Sequence, residues 1–203
     1  MKQISGARGF TLLETGLTLT ISALIVGALW LYVSSVIEND RKNKFISQTT
    51  EIIMNTRRVF ANSVGGMSGM NGTTAMTTAA IRSGIFPASM ITNGSNRPQD
   101  VYGGDVELSH NNITTPPRFR LSMDRVTREG CVALISKIAR DEAVRGQYGI
   151  LGFSASSNLD VMPPSGVISG DLTAARVTSL CQVTNVARGP MPPFALHIDF
   201  QYR

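Results

Sequence analysis

The stretch GARGFTLLETGLTL, residues 6–19, decides the reading of this chain, because a carboxylate, Glu14, stands near the head of an apolar run that continues to Ile37. From Thr15 to Ile37 there is no Asp, Glu, Lys, Arg or His. A helix of that length spans a hydrocarbon core of about 30 Å. Removing an ionised carboxylate from water is costly unless another charge meets it, so Glu14 predicts a cationic partner in the same layer.

The flanks mark the ends of the span. Lys2 and Arg8 sit in a polar leader, Trp30 and Tyr32 fall where an aromatic belt is expected, and ENDRKNK, residues 38–44, leaves the bilayer. A secretory signal places its cleavage site after the apolar region. Here the small residue that fits a cut, Gly9, comes before it, so cleavage there leaves the apolar segment on the mature chain. Counting Lys and Arg on the two sides gives no clear orientation.

Length and composition bound the rest. A chain of 203 residues holds one medium globular domain plus an anchor, and its 16% charged fraction, with abundant Gly, Ser, Thr and Asn, suits an extracytoplasmic protein. The net charge of +5 is spread in short groups such as Arg57-Arg58 and Arg118 to Arg128 with acids interleaved, which describes a solvated face better than a nucleic-acid surface. The two cysteines, Cys131 and Cys181, lack the close spacing of a metal knuckle. On an exported chain they read as one disulfide closing a long loop; the alternative is two separate buried thiols. A disulfide puts the C-terminal part outside and the leader in the cytoplasm.

The order of a short basic leader, then Gly9, Phe10, Thr11, Leu12, Leu13 and Glu14, then a long apolar helix, resembles the prepilin motif of type IV pilins and related pseudopilins. The resemblance implies cleavage between Gly9 and Phe10 by a prepilin peptidase that also N-methylates Phe10. It implies an inner-membrane precursor, a pilus assembly platform, and a homo-oligomeric helical filament. The Phe10 ammonium freed by that cut is the cation that Glu14 awaits, in its own chain or in a neighbour. The implied division is a leader at 1–9, a membrane and filament-core half-helix at 10–37, and an extracytoplasmic domain at 38–203. Type IVb members are the nearer kind by length and by the helices around the cysteines. They more often have a long leader and another first residue, and many relatives carry a helix-bending proline that this chain lacks.

Nothing terminates the helix at the bilayer surface, since the first proline is Pro87. Phe45, Thr49, Ile52, Ile53, Thr56, Val59 and Phe60 recur at spacings of three and four, predicting one helix from Phe10 to Asn62 whose second half packs on the globular part. After the glycine-rich run 65–72, a helix is expected over Thr74–Ser83 with Gly84 as its cap, and a loop over Asn93–Gly104. Strands are expected at Val106–Ser109, Phe119–Met123, Ile150–Phe153 and Val167–Ile168. Two further helices are expected, Thr127–Glu142 and one capped by Asp171 that ends near Leu180. In FALHIDFQY, residues 194–202, Phe194, Leu196, Ile198, Phe200 and Tyr202 alternate with His197, Asp199 and Gln201, which predicts a strand with one polar face. The fold class is α+β: a long N-terminal helix against an antiparallel sheet with extra helices, which is the pilin fold of the resemblance.

No catalytic constellation or metal set is legible, and no cofactor is expected. His110 reads as a loop residue and His197 as a solvated one, without ligand partners at recognisable spacing. Met67, Met70 and Met76 suit packing better than a copper site. The leading functional reading is a pilus subunit that acts by assembly, in adhesion, aggregation or mating contact. A minor pilin or secretion pseudopilin, a membrane-tethered binding module with an uncleaved anchor, and a DNA-binding pilin using Arg118, Arg120, Arg125 and Arg128 are the alternatives.

Overall fold

The spacing of apolar residues after Lys44 becomes packing in the computed structural model, which describes residues 12–61, 73–91, 97–111, 118–140, 142–156, 172–182 and 194–201. Helix α1 runs Leu12–Phe60 without interruption. Its buried residues are Phe45, Thr49, Ile52, Ile53, Thr56 and Phe60, the three-and-four pattern of one helical face, with Val59 partly buried beside them. By its own contacts the chain divides into residues 1–40 and 41–203. In the first unit, α1 is the whole of the described structure.

In the second unit, four antiparallel strands form one sheet: β1 Val106–Asn111, β2 Arg118–Val126, β3 Ile150–Ser156 and β4 Phe194–Phe200, in the order β1-β2-β4-β3. The C-terminal strand is therefore inserted between two earlier ones. Leu121 and Phe153 both pair with Ile198 across it. One face of the sheet carries Phe119, Leu121, Met123, Leu196, Ile198 and Phe200, all buried. The end of α1 rests on this face: the Phe60 and Phe119 rings are 5.0 Å apart, Phe119 stacks on Phe200 at 5.7 Å, and the Thr49 hydroxyl points at the Met123 sulfur at 3.5 Å. Long helix on antiparallel sheet with added helices makes the fold α+β, as expected.

The remaining helices are α2 Thr73–Arg82, α3 Arg128–Ile138, α4 Glu142–Tyr148 and α5 Ala174–Leu180, with a 3-10 turn at Ala88–Met90. Gly84 ends the α2 region at φ 68°, a left-handed conformation that a side chain would disfavour. Thr127 caps α3, its hydroxyl accepting from Gly130 N at 3.1 Å.

Several expectations are corrected. The helix expected over Thr127–Glu142 is α3, which stops earlier, at Ile138, where the buried stripe ends at Ile138 and Ala139; α4, which buries no residue of its own, begins separately at Glu142. The cap of α5 is Thr173, whose hydroxyl accepts from Arg176 N; Asp171 lies outside the described residues. His110 is on β1 and half-buried, its ring 5.2 Å from that of Phe119, where a loop was expected. The polar side of β4 does not meet water: all seven residues Phe194–Phe200 are buried. The glycine-rich run 65–72, Val167–Ile168, Met67, Met70 and Tyr202 lie outside the described residues.

Candidate functional site

Two features of the described residues hold their polar groups in unusual surroundings. The first is the surface of α1 from Leu12 to Ile37, exposed throughout and apolar on every side, with Leu12 93%, Leu24 70% and Trp30 73% accessible. Its most apolar window has a mean hydropathy of 2.0 and buries none of its residues. By length and composition this helix can cross a membrane.

Local hydrogen bonds make that surface compatible with an apolar medium. The hydroxyls of Thr15, Thr18, Thr20, Ser22, Ser34 and Ser35 donate to carbonyls three or four residues back, at 2.8 to 3.0 Å. Each hydroxyl is thereby satisfied within its own helix. Glu14 stands in the first described turn of α1. Gly9 and Phe10 lie outside the described residues, so only Glu14 of the expected assembly group is placed.

The second feature is a polar ladder inside the sheet. The residues of β2 and β4 that face away from Phe119 and Ile198 pair in register as Arg120 with Asp199 and Ser122 with His197. Arg120 Nε and Nη2 donate to the two Asp199 oxygens at 2.6 and 2.9 Å. This two-pronged pair matches the planar fork of the guanidinium. Next to it the His197 ring bridges three strands, with Nδ1 2.8 Å from Ser122 Oγ and Nε2 2.7 Å from Ser156 Oγ. His197 is 2% accessible, Ser156 4% and Asp199 6%.

Electrostatics follow from that burial. The His197 pKa is lowered to about 4: loss of solvent is the largest cause, the nearby Arg120 charge adds to it, and Asp199 opposes both. The Asp199 hydrogen bond, and its charge after it, hold Arg120 above its ordinary value against burial. A histidine between two serines can activate a hydroxyl in principle. Here Ser156 and the ring are both buried, and their hydrogen bonds tie three strands together.

Cys131 in α3 and Cys181 at the end of α5 are joined in a disulfide with Cα atoms 5.9 Å apart, both cysteines fully buried. Met76 is buried in the core. Of the four arginines considered for nucleic acid, Arg120 is engaged by Asp199, so they do not make one open basic patch. Among the described residues, no three His, Cys, Asp or Glu side chains converge as metal ligands would.

The ladder was the part sequence reasoning missed. One signal was available: R-x-S in residues 120–122 and H-x-D in residues 197–199 complement each other when run antiparallel.

No curated protein matches the chain in a sequence comparison. A family model described as PilS N terminal matches residues 40–185, well over half of the chain and nearly all of it beyond the apolar half of α1. The match and the Gly9 to Glu14 motif therefore rest on different residues and point the same way. The chain belongs to the PilS family, and PilS is a type IV pilin of the IVb kind.

Proposed function

We propose that this pilin is made as an inner-membrane prepilin, cut between Gly9 and Phe10, N-methylated on Phe10, and built by a pilus assembly platform into a helical surface filament. Residues 10–37 are the membrane anchor of the precursor and then the filament core, and residues 38–203 form the extracytoplasmic domain. The observation that carries this reading is the α1 surface from Leu12 to Ile37, apolar on all sides with Glu14 its only charged residue. Such a surface is covered either by lipid or by copies of itself, and repeated contacts that do not close into a ring give a filament.

Glu14 sets the register. Cleavage creates an ammonium on Phe10 four residues before the carboxylate, and in a low-dielectric core the pair is satisfied at one axial stagger of neighbouring helices. The pilus then works by contact, in adhesion, aggregation or mating, without chemistry of its own. Mass spectrometry of filaments sheared from producing cells tests this: the expected subunit begins at methylated Phe10 and carries the Cys131–Cys181 bridge. A native chain beginning at Met1 and confined to the inner membrane overturns it. Glu14→Val leaves an ammonium unpaired, at a cost of roughly 3–5 kcal/mol, so sheared filament is expected to fall by at least tenfold while processed subunit accumulates.

A further inference from the structure

The ladder on β2, β4 and β3 does something the pilus reading does not require. A neutral imidazole has one N–H and one bare nitrogen, so it donates to one of Ser122 and Ser156 and accepts from the other. One uncharged ring thus ties the C-terminal strand to a neighbour on each side. Those neighbours are distant in the chain, with Ser122 75 residues and Ser156 41 residues from His197.

A proton added to the ring changes this balance. Both nitrogens then donate, the serine that had donated must turn its hydrogen away, and a cation sits inside the sheet. The charges that act on it are Arg120 of β2, which repels it, and Asp199 of β4, which attracts it but already binds Arg120 through both oxygens. From β3 come only Ser154 and Ser156, with no carboxylate, and Ser154 Oγ is buried without a hydrogen-bond partner. Among the described residues no uncommitted counter-charge therefore faces the imidazolium, and burial denies it water.

We propose that the Ser122–His197–Ser156 ladder is an acid-sensitive latch that holds β4 between β2 and β3 while its ring is neutral and releases that seam when the ring takes up a proton. The direction of the shift on His197 agrees. The ring's pKa is about 4 in the fold and 6.5 without it, so the unfolded chain takes the proton first, and stability is lost as pH falls from about 6.5 to about 4.

The test uses the full chain in detergent micelles and does not depend on filament formation. His197→Gln keeps one donor and one acceptor but cannot charge in this range. Thermal melts at pH 7 and pH 4.5 are expected to show the native chain losing about 5 °C or more of Tm relative to the variant. Asp100, a second buried group among the described residues that titrates near this window, is present in both proteins and cancels. Equal losses in the two proteins overturn the proposal. If His197→Gln does not fold, imidazole NMR of the native chain decides: a ring neutral down to about pH 4, charging as sheet signals disappear, supports the latch. Reversible titration near pH 6.5 with the sheet intact rejects it.

Discussion

Asp100 lies in the turn that leads into β1, where its Oδ1 accepts from the backbone N–H groups of Tyr102 at 2.8 Å and Gly104 at 3.0 Å. Its Oδ2 is buried without a hydrogen-bond partner. Its pKa is raised to about 6: burial is the largest cause, the backbone hydrogen bonds oppose the rise and the Asp124 charge adds to it. Since the ordinary value is 3.8, the folded chain holds the proton that the unfolded chain releases. This group's contribution is fully present below about pH 4 and is lost as pH rises through 6, the opposite sign to His197. Relative to Asp100→Asn, the native chain is expected to gain about 2–3 kcal/mol as pH is lowered from 7 to 4, read from denaturant melts at each pH. A constant difference between the two proteins contradicts the assignment. The sequence contains both groups in plain view, but burial gives them their opposite signs.

At the scale of elements, α1 carries two kinds of surface on one helix. Ile53 is fully buried against the domain, while Leu24 is 70% exposed. Ile53→Ala removes packed methylene groups and leaves a cavity, so the domain is expected to lose about 2–5 kcal/mol of stability in denaturant titrations of the micellar chain. Leu24→Ala is expected to stay within about 0.5 kcal/mol in the same assay, because the domain makes no use of that side chain. The stripe from Phe45 to Phe60 was legible because helical periodicity is a local property. The break after Ile138 was not, since it depends on where the buried stripe runs out of neighbours.

For the whole molecule, the disulfide ties α3 to α5 across a sequence separation of 50 residues, a stretch that also contains α4 and β3. α5 buries only Val177 in its own length, so its attachment leans on Cys181. In the chain-entropy account a loop of this size stabilises the fold by about 4 kcal/mol. Cys131→Ser with Cys181→Ser is therefore expected to lower Tm by about 10 °C, measured by circular dichroism at neutral pH. A drop under about 2 °C shows that α5 docks without the bridge.

The sequence by itself determined the apolar half of α1 with its single acid, the helix that continues past it, the positions of the four described strands and which residues share a face. Each of these follows from neighbours a few positions apart, through the 3.6-residue and two-residue periods of the backbone. Only the tertiary structure decided what each face meets. The strand at residues 194–200 alternates as a half-solvated strand does, yet it is inserted between β2 and β3 and wholly buried, so His197 and Asp199 bind neighbours 75 and 79 residues away instead of water. Alternation assigns a side chain to a face, while the partner on that face comes from chain brought back over long distances, which no local period encodes.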